Sequence, residues 1–376
     1  MVVVRKSALL LFTLIIILGT GCRAQQAAYD ALLAVMESTV DAAGPGVVLY
    51  TNGPESGEQV FARGVGDQER KTAVRTISHF RIGGITKAFI STLVLQMVEE
   101  DELSLDDTLG ILVMPDIAAG IPNSDRITVR QMLNMTSGIA DYRDNPDFWT
   151  AVFAKEKRGW QPEELITFAY DLEPANEPGA AFAYSNTNYL LLQLILNSVL
   201  EDTLQKETED RIFDVLNLQD TYYEPVAETT GGHIPGYTDV DGDGTIESTA
   251  PYDDGRGLAD LGMVTNALDL GKIAPAFYNR ALSGENGRFE LTTTTNMGAA
   301  TDMGATTAYG IGIMRRSSQW GEMWGYDSTS FGFTSQMWYL PDHAVTVIVL
   351  INHETPELAT TLVNNALAAV MQIENP

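Results

Sequence analysis

The segment F-R-I-G-G-I-T-K, Phe80 to Lys87, places a lysine three residues after Gly84 at the point where an apolar run gives way to a helical pattern. That spacing puts both positions on one helical face, so an amine stands beside whatever occupies position 84. By itself a strand-to-helix turn with a lysine could be plain structure, and glycine brings no side chain to it. Ser91 and Thr86 do not lie on the Gly84 to Lys87 line, and Ser185 belongs to another segment. That segment, F-A-Y-S-N-T-N-Y, carries Tyr184 and Asn186, which by themselves read as a buried aromatic and a turn asparagine. Metal chemistry is not expected. The run Asp239 to Glu247 spaces Asp239, Asp241, Asp243 and Gly244 like the start of a calcium loop, but Ala250 stands where the closing carboxylate belongs. The histidines His79, His233, His343 and His353 have no zinc spacing, and no cofactor is called for.

Taken together, these segments resemble the penicillin-recognising serine hydrolases, the family of class C β-lactamases and D-alanyl-D-alanine carboxypeptidases. Gly84 to Lys87 is similar to the family's Ser-x-x-Lys motif, with glycine in the serine's place. Tyr184 to Asn186 looks like its Tyr-x-Asn motif, in which tyrosine serves as general base and asparagine binds the substrate amide. I-T-V-R-Q-M-L-N-M-T-S-G, Ile127 to Gly138, resembles a scaffold segment that usually has histidine in the place of Met135. L-S-L-D-D, Leu103 to Asp107, and Y-G-I-G, Tyr309 to Gly312, extend the resemblance, which runs from about Gly46 to about Ala369.

The third family motif, a cation, a hydroxyl residue and glycine, falls on G-Y-D-S-T-S-F-G-F, Gly325 to Phe333. Tyr326 then replaces the cation, Asp327 the hydroxyl residue and Ser328 the glycine. The resemblance implies that these three line the substrate cleft, where Tyr326 offers a substrate carboxylate only a neutral hydroxyl, Asp327 repels an anion, and Ser328 adds a Cβ. Gly84 keeps the backbone N–H that would form part of an oxyanion hole but has nothing to acylate. Loss of a nucleophile costs a serine protease roughly a millionfold in turnover, about 8 kcal/mol of barrier. Two readings stay open: a binding pseudoenzyme for peptidoglycan-like peptides or acyl compounds, and an active hydrolase of β-lactamase, carboxypeptidase or esterase type using water or a rearranged nucleophile. Water in the volume left at Gly84 would serve the second.

The elements that must position these residues follow from periodicity. Ala27 to Asp41 reads as a helix, Gly46 to Thr51 and Glu58 to Gly64 as a hairpin around Asn52, Gly53, Pro54 and Gly57, and Ile77 to Ile82 as a strand. Thr86 to Glu100 reads as a helix with a broad apolar face. The middle is loop-rich and helical, with helices over Arg130 to Asn134 and Tyr189 to Leu200. Strands return at Thr334 to Leu340 and Ala344 to Asn352, before a closing helix from Glu357 to Gln372. The expected fold is α/β, β-lactamase/transpeptidase-like: an antiparallel sheet from both termini, flanked by helices, with a mostly helical insertion. Residues 25–376 are read as one domain, with a sheet lobe of about 26–110 plus 260–376 and a helical lobe of about 111–259.

The 376 residues, 45% hydrophobic, can bury a sizeable core, and the net charge of -27 argues against a nucleic-acid partner. A small molecule or peptide is the expected ligand. Arg5 and Lys6 precede an apolar run from Ala8 to Leu18, the pattern of a signal peptide over residues 1–24. The chain's single cysteine, Cys22, follows in L-G-T-G-C, which resembles a lipoprotein cleavage site; the alternative is cleavage near Ala24 and plain secretion. Export, with a lipid anchor at Cys22 holding the protein to the extracytoplasmic face, is the expectation. A lone cysteine excludes internal disulfides.

Overall fold

The structure is a computed structural model and describes residues 23–154, 159–224, 232–279, 282, 293, 295–296 and 307–374. Residues 1–22, and with them Cys22 and the signal-peptide reading, lie outside the described residues.

Helix α1 (23–39) leads into strands β1 (Val47–Asn52) and β2 (Gln59–Arg63). Among the described residues the chain returns to the same sheet at Thr295–Asn296 and continues through β3 (Thr307–Tyr309), β4 (Met314–Ser318), β5 (Gly321–Ser330), β6 (Phe333–Leu340) and β7 (Val345–Ile351). The eight strands, counting the short pair Thr295–Asn296, run in the order Thr295–Asn296, β3, β4, β5, β6, β7, β1, β2. The first strand pairs with the last, Val47 opposite Ile351 and Asn52 opposite Thr346, and every ladder is antiparallel. The sheet expected from both termini is therefore present. β6 and β7 are buried on both faces, which is why they read as near-continuous apolar runs.

Cross-strand partners share a face, and the contacts identify what covers each one. On one face lie α2 (Thr86–Glu99) and α6 (Ala267–Tyr278), whose Gly271 abuts the ring of Tyr50. On the other lie α1, where Tyr29 meets Phe61 at a 5.1 Å ring separation, and α7 (Pro356–Glu374), where Thr360 accepts from Gln336. The stretch between the two halves of the sheet carries the helices α3 (Pro146–Phe153), α4 (Pro162–Tyr170) and α5 (Thr187–Val199), with short turns between them. The expected strand Ile77 to Ile82 shrinks to Phe80–Arg81, which joins a separate three-stranded sheet with Met263–Thr265 and Tyr222–Tyr223. No described helix is long and apolar enough to cross a membrane.

Candidate active site

Helix α2 begins after a single turn of 3-10 helix, Gly83–Ile85. Gly83 sits at φ +52°, and a Cβ on it would come within 2.5 Å of the Ser328 hydroxyl, so the turn requires glycine there. The turn carries Gly84 against β5 and aims Lys87 inward, where it is wholly buried. Nζ of Lys87 donates to Oδ1 of Asn186 and to the carbonyl of Asp260, both at 2.8 Å. It also lies 5.1 Å from the ring centre of Tyr184 and 5.4 Å from that of Tyr189. Burial pulls the Lys87 pKa down to about 8, against the opposing fields of Asp260 and Asp141 and with help from Arg143.

Asn186 enters from the start of α5 and is fixed by Asp141, whose Oδ2 accepts from its Nδ2 at 2.7 Å and its backbone N–H at 3.1 Å. Asp260 is held in turn by the Tyr142 hydroxyl at 2.8 Å. Sequence reasoning missed Asp141, Tyr142, Arg143 and Asp260. The first three directly follow T-S-G-I-A, and a run of polar groups there was the available signal; Asp260 had none. Met135 serves as scaffold: at φ +60°, its sulfur accepts from the Ser185 N–H and Asn188 Nδ2, tying its own turn to the Tyr184–Asn186 segment.

Three phenols meet above Gly84. The Tyr326 hydroxyl lies 3.2 Å from that of Tyr184 and 3.0 Å from that of Tyr309, and burial raises all three pKa values, so all are protonated at neutral pH. Tyr184 is 37% exposed at the mouth, whereas Tyr326 is buried at 1%. A Cβ built on Gly84 would stand 2.6 Å from Cε1 of Tyr326 and 3.3 Å from both Ser328 Oγ and the Tyr184 hydroxyl. The room expected beside Gly84 for a water is thus filled by the Tyr326 ring. The Gly84 N–H, expected free for a substrate oxygen, donates to Ser328 Oγ at 2.7 Å.

Strand parity sorts the third segment. Tyr326 pairs with Met337 and Ser328 with Ser335, on the face toward α2, while Asp327 pairs with Gln336 on the face toward α7. The Asp327 carboxylate accepts from Gln336 Nε2 at 3.1 Å, and burial raises its pKa to about 6. Asp327 forms part of the cleft rim, but its charge points away from the floor, which corrects the expectation that it repels a bound anion. The cleft, about 170 Å³, is bounded by Arg143, Tyr184, Asn186, Leu261 and Ser328. A cavity of about 370 Å³, walled by Trp149, Phe153 and Phe331, continues it past Arg143 and Ser330.

Elsewhere, the carboxylates of Asp239, Asp241 and Asp243 come within 4.8 Å of one another. Asp239 accepts from the N–H groups of Gly242 and Gly244, and Asp243 from that of Thr245, so the turn uses them itself. The histidines are dispersed: His79 against Asp220, His233 against Glu224, His343 against the Trp320 carbonyl, His353 against Gln68.

A sheet built from both termini, with a helix bearing an inward lysine against a tyrosine and an asparagine, defines a β-lactamase/transpeptidase-like fold, and the chain belongs to the Beta-lactamase family, which it matches over residues 34–370. Among solved structures it is similar to a D-stereospecific amidohydrolase from Streptomyces sp., with 25% identity, a TM-score of 0.76 and coverage of 88% of this chain and 97% of that one. It is similar also to the D-amino acid amidase from Ochrobactrum anthropi SV3 complexed with D-phenylalanine (22%, 0.77, 93% and 99%). A penicillin binding protein from Bacillus halodurans shares the fold (20%, 0.74, 91% and 99%). Of curated proteins, Protein flp of Staphylococcus aureus (strain MW2) is 25% identical over 193 residues, which is 50% of this chain and 38% of that protein. A D-aminopeptidase of Cereibacter sphaeroides (strain KD131 / KCTC 12085) is 22% identical over 340 residues, 89% of this chain and 61% of that protein. The chain thus spans less than two thirds of the curated relatives it matches.

Proposed function

We propose that this protein is a non-acylating member of its family, which holds a peptidoglycan-like peptide or another acyl compound in the cleft without forming a bond to it. On this reading Gly84 stands where the family keeps its nucleophilic serine, and Lys87, Tyr184 and Asn186 persist as binding groups. The observation that carries it is the Tyr326 ring, 2.6 Å from where a side chain on residue 84 would begin. With Ser328 Oγ on the Gly84 N–H, the place for an attacking oxygen and one donor for an oxyanion are both occupied from within. The names of the amidase and aminopeptidase relatives favour D-amino acid amides and D-residue peptides as first ligands to try.

The test is a fluorescent penicillin and a panel of D-amino acid amides applied to the unmodified protein, to Gly84→Ser, and to Gly84→Ser with Tyr326→Lys. Neither of the first two should acylate, because the single serine meets the Tyr326 ring; only the pair makes room and restores the cation. Acylation by Gly84→Ser alone would show that the ring is no obstacle. The hydrolase reading has one observation in its favour, the Ser328 hydroxyl lying 3.3 Å from the same point. A covalent adduct on the unmodified protein that disappears in Ser328→Ala would establish it and end the binding-only reading.

We further propose export and lipid attachment at Cys22, supported by Arg5, Lys6 and the apolar run before L-G-T-G-C. Labelled palmitate entering the wild-type chain and not Cys22→Ala tests this; label in neither would reject it.

A further inference from the structure

On the sheet face away from the cleft, β4, β5 and α7 enclose a separate cavity of about 290 Å³. Arg316 lines it, together with Ser318, Trp320, Met323, Asn364 and Leu367. Arg316 pairs with Met323 in the β4–β5 ladder, which fixes its side chain on the same face as Trp338 and α7.

Arg316 as a residue is 8% exposed, and its Nη1 is buried with no hydrogen-bond partner among the described residues. Its neighbours are the Trp338 ring, 6.0 Å from the guanidinium carbon, and the field of Asp327. That carboxylate is already bonded to Gln336. The comparably buried Arg81 and Arg143 behave otherwise, each holding Asp254 by an ion pair. Next to Arg316 on its own strand, Arg315 takes Glu322 at 3.1 Å on the opposite face of the sheet. A buried guanidinium nitrogen without an acceptor is costly, and the planar fork matches a carboxylate or phosphate in two parallel bonds. The wall also carries the indole of Trp320, the thioether of Met323 and the isobutyl group of Leu367, which would cover an apolar body, beside the polar Ser318 and Asn364.

We propose that this cavity binds a small oxyanion carrying an apolar group, a monocarboxylate or a phosphomonoester, with Arg316 taking the oxygens and Trp320, Met323 and Leu367 enclosing the remainder. At roughly 30 Å³ per water-sized group, the volume suits a ligand of about ten non-hydrogen atoms. The site is independent of the cleft, and it stands or falls apart from the non-acylating reading.

Calorimetric titration of the full chain with phenylacetate, phenyl phosphate and neutral phenylacetamide tests it. The anions should bind with a Kd of about 1 mM or tighter, at least roughly tenfold better than the amide, and more weakly as salt rises. The stronger of the two anions identifies the headgroup. Arg316→Met should abolish the preference, Arg316→Lys should retain part of it, and Tyr184→Phe in the cleft should leave it unchanged. Should Arg316→Met not fold, Leu367→Trp fills the cavity while keeping the arginine, and should also abolish binding. Equal affinity for anion and amide, undiminished anion binding by Arg316→Met or Leu367→Trp, or no binding by either anion overturns the proposal.

Discussion

Lys87 brings a wholly buried amine into the candidate site. With a pKa of about 8 it is mostly charged at neutral pH, and its two hydrogen bonds are already given to Asn186 and to the carbonyl of Asp260. Its folded pKa lies below the unfolded value of 10.5, so the unfolded chain binds more protons between those values and stability attributable to Lys87 rises across that window. Below pH 8 the full penalty of the buried charge is present, on the order of 3 kcal/mol. Denaturant unfolding at pH 7, 8, 9 and 10 should therefore show a more positive slope for the wild type than for Lys87→Met; parallel curves would mean that the amine is not desolvated. The positions Gly84, Lys87, Tyr184 and Asn186 were legible because motif order and helical spacing survive in one dimension. The filling of the space beside Gly84 was not, since it depends on which face of β5 carries Tyr326. Parity along Gly325 to Phe333 held that information, and it also places Asp327 on the opposite face, where sequence reasoning had set its charge in the cleft.

At the scale of elements, the site is an arrangement of α2 against β5 and against the turn that precedes β4. Tyr309 to Gly312 supplies that turn: Gly312 lies at φ +67°, and a Cβ there would come within 2.0 Å of Ser91 Oγ and 2.9 Å of the Lys87 carbonyl. Gly312→Ala combines left-handed strain with overpacking against backbone, for a cost of roughly 2–5 kcal/mol. It should also displace α2 and so weaken any ligand held by Lys87 and Asn186. A Tm unchanged from wild type would mean that the turn can move aside without the helix. Helix α2 was readable from Thr86 because apolar spacing is strong, yet burial extends beyond the expected broad apolar face. Ser91 and Thr92 are buried too, their hydroxyls turned to Tyr189 and to the Ala88 carbonyl. β5 escaped a periodicity reading for the same reason: Tyr326, Ser328 and Ser330 face a polar site, so inward positions look polar. Ile77 to Ile82 misled in the other direction, because Arg81 leaves the apolar pattern to serve ion pairs, and pairing is confined to Phe80–Arg81.

Across the whole molecule, both ends of the chain announce the sheet, but nothing local announces the ionic bond between its distant parts. Arg81, just before the Gly83–Ile85 turn, reaches Asp254 at 2.8 Å and Glu224 at 2.9 Å, and Asp254 also takes Arg143 at 3.2 Å. Burial alone would raise both carboxyl pKa values; Arg81 and Arg143 hold Asp254 below the usual range, and Arg81, His233 and Arg256 do the same for Glu224. Groups with a depressed folded pKa stabilise above their unfolded pKa and lose that stabilisation as pH falls through the folded one. Asp327 and Asp260 work in the opposite sense: burial raises their pKa, that of Asp327 to about 6, so protonating them as pH falls favours the folded chain. Lowering the net charge of -27 acts in the same direction. The Tm should therefore climb as pH falls from 7 through the Asp327 range near 6 and collapse at more acid pH, below the usual carboxylate range, where Asp254 and Glu224 protonate. Arg81→Met leaves two buried carboxylates short of their main cation. It should cost roughly 3–5 kcal/mol at neutral pH and move the acid collapse upward, since both groups then protonate earlier. A melting series against pH on the two proteins checks both statements, and an acid limb at the same pH in each would remove Arg81 from its place at the centre of the fold's charge balance.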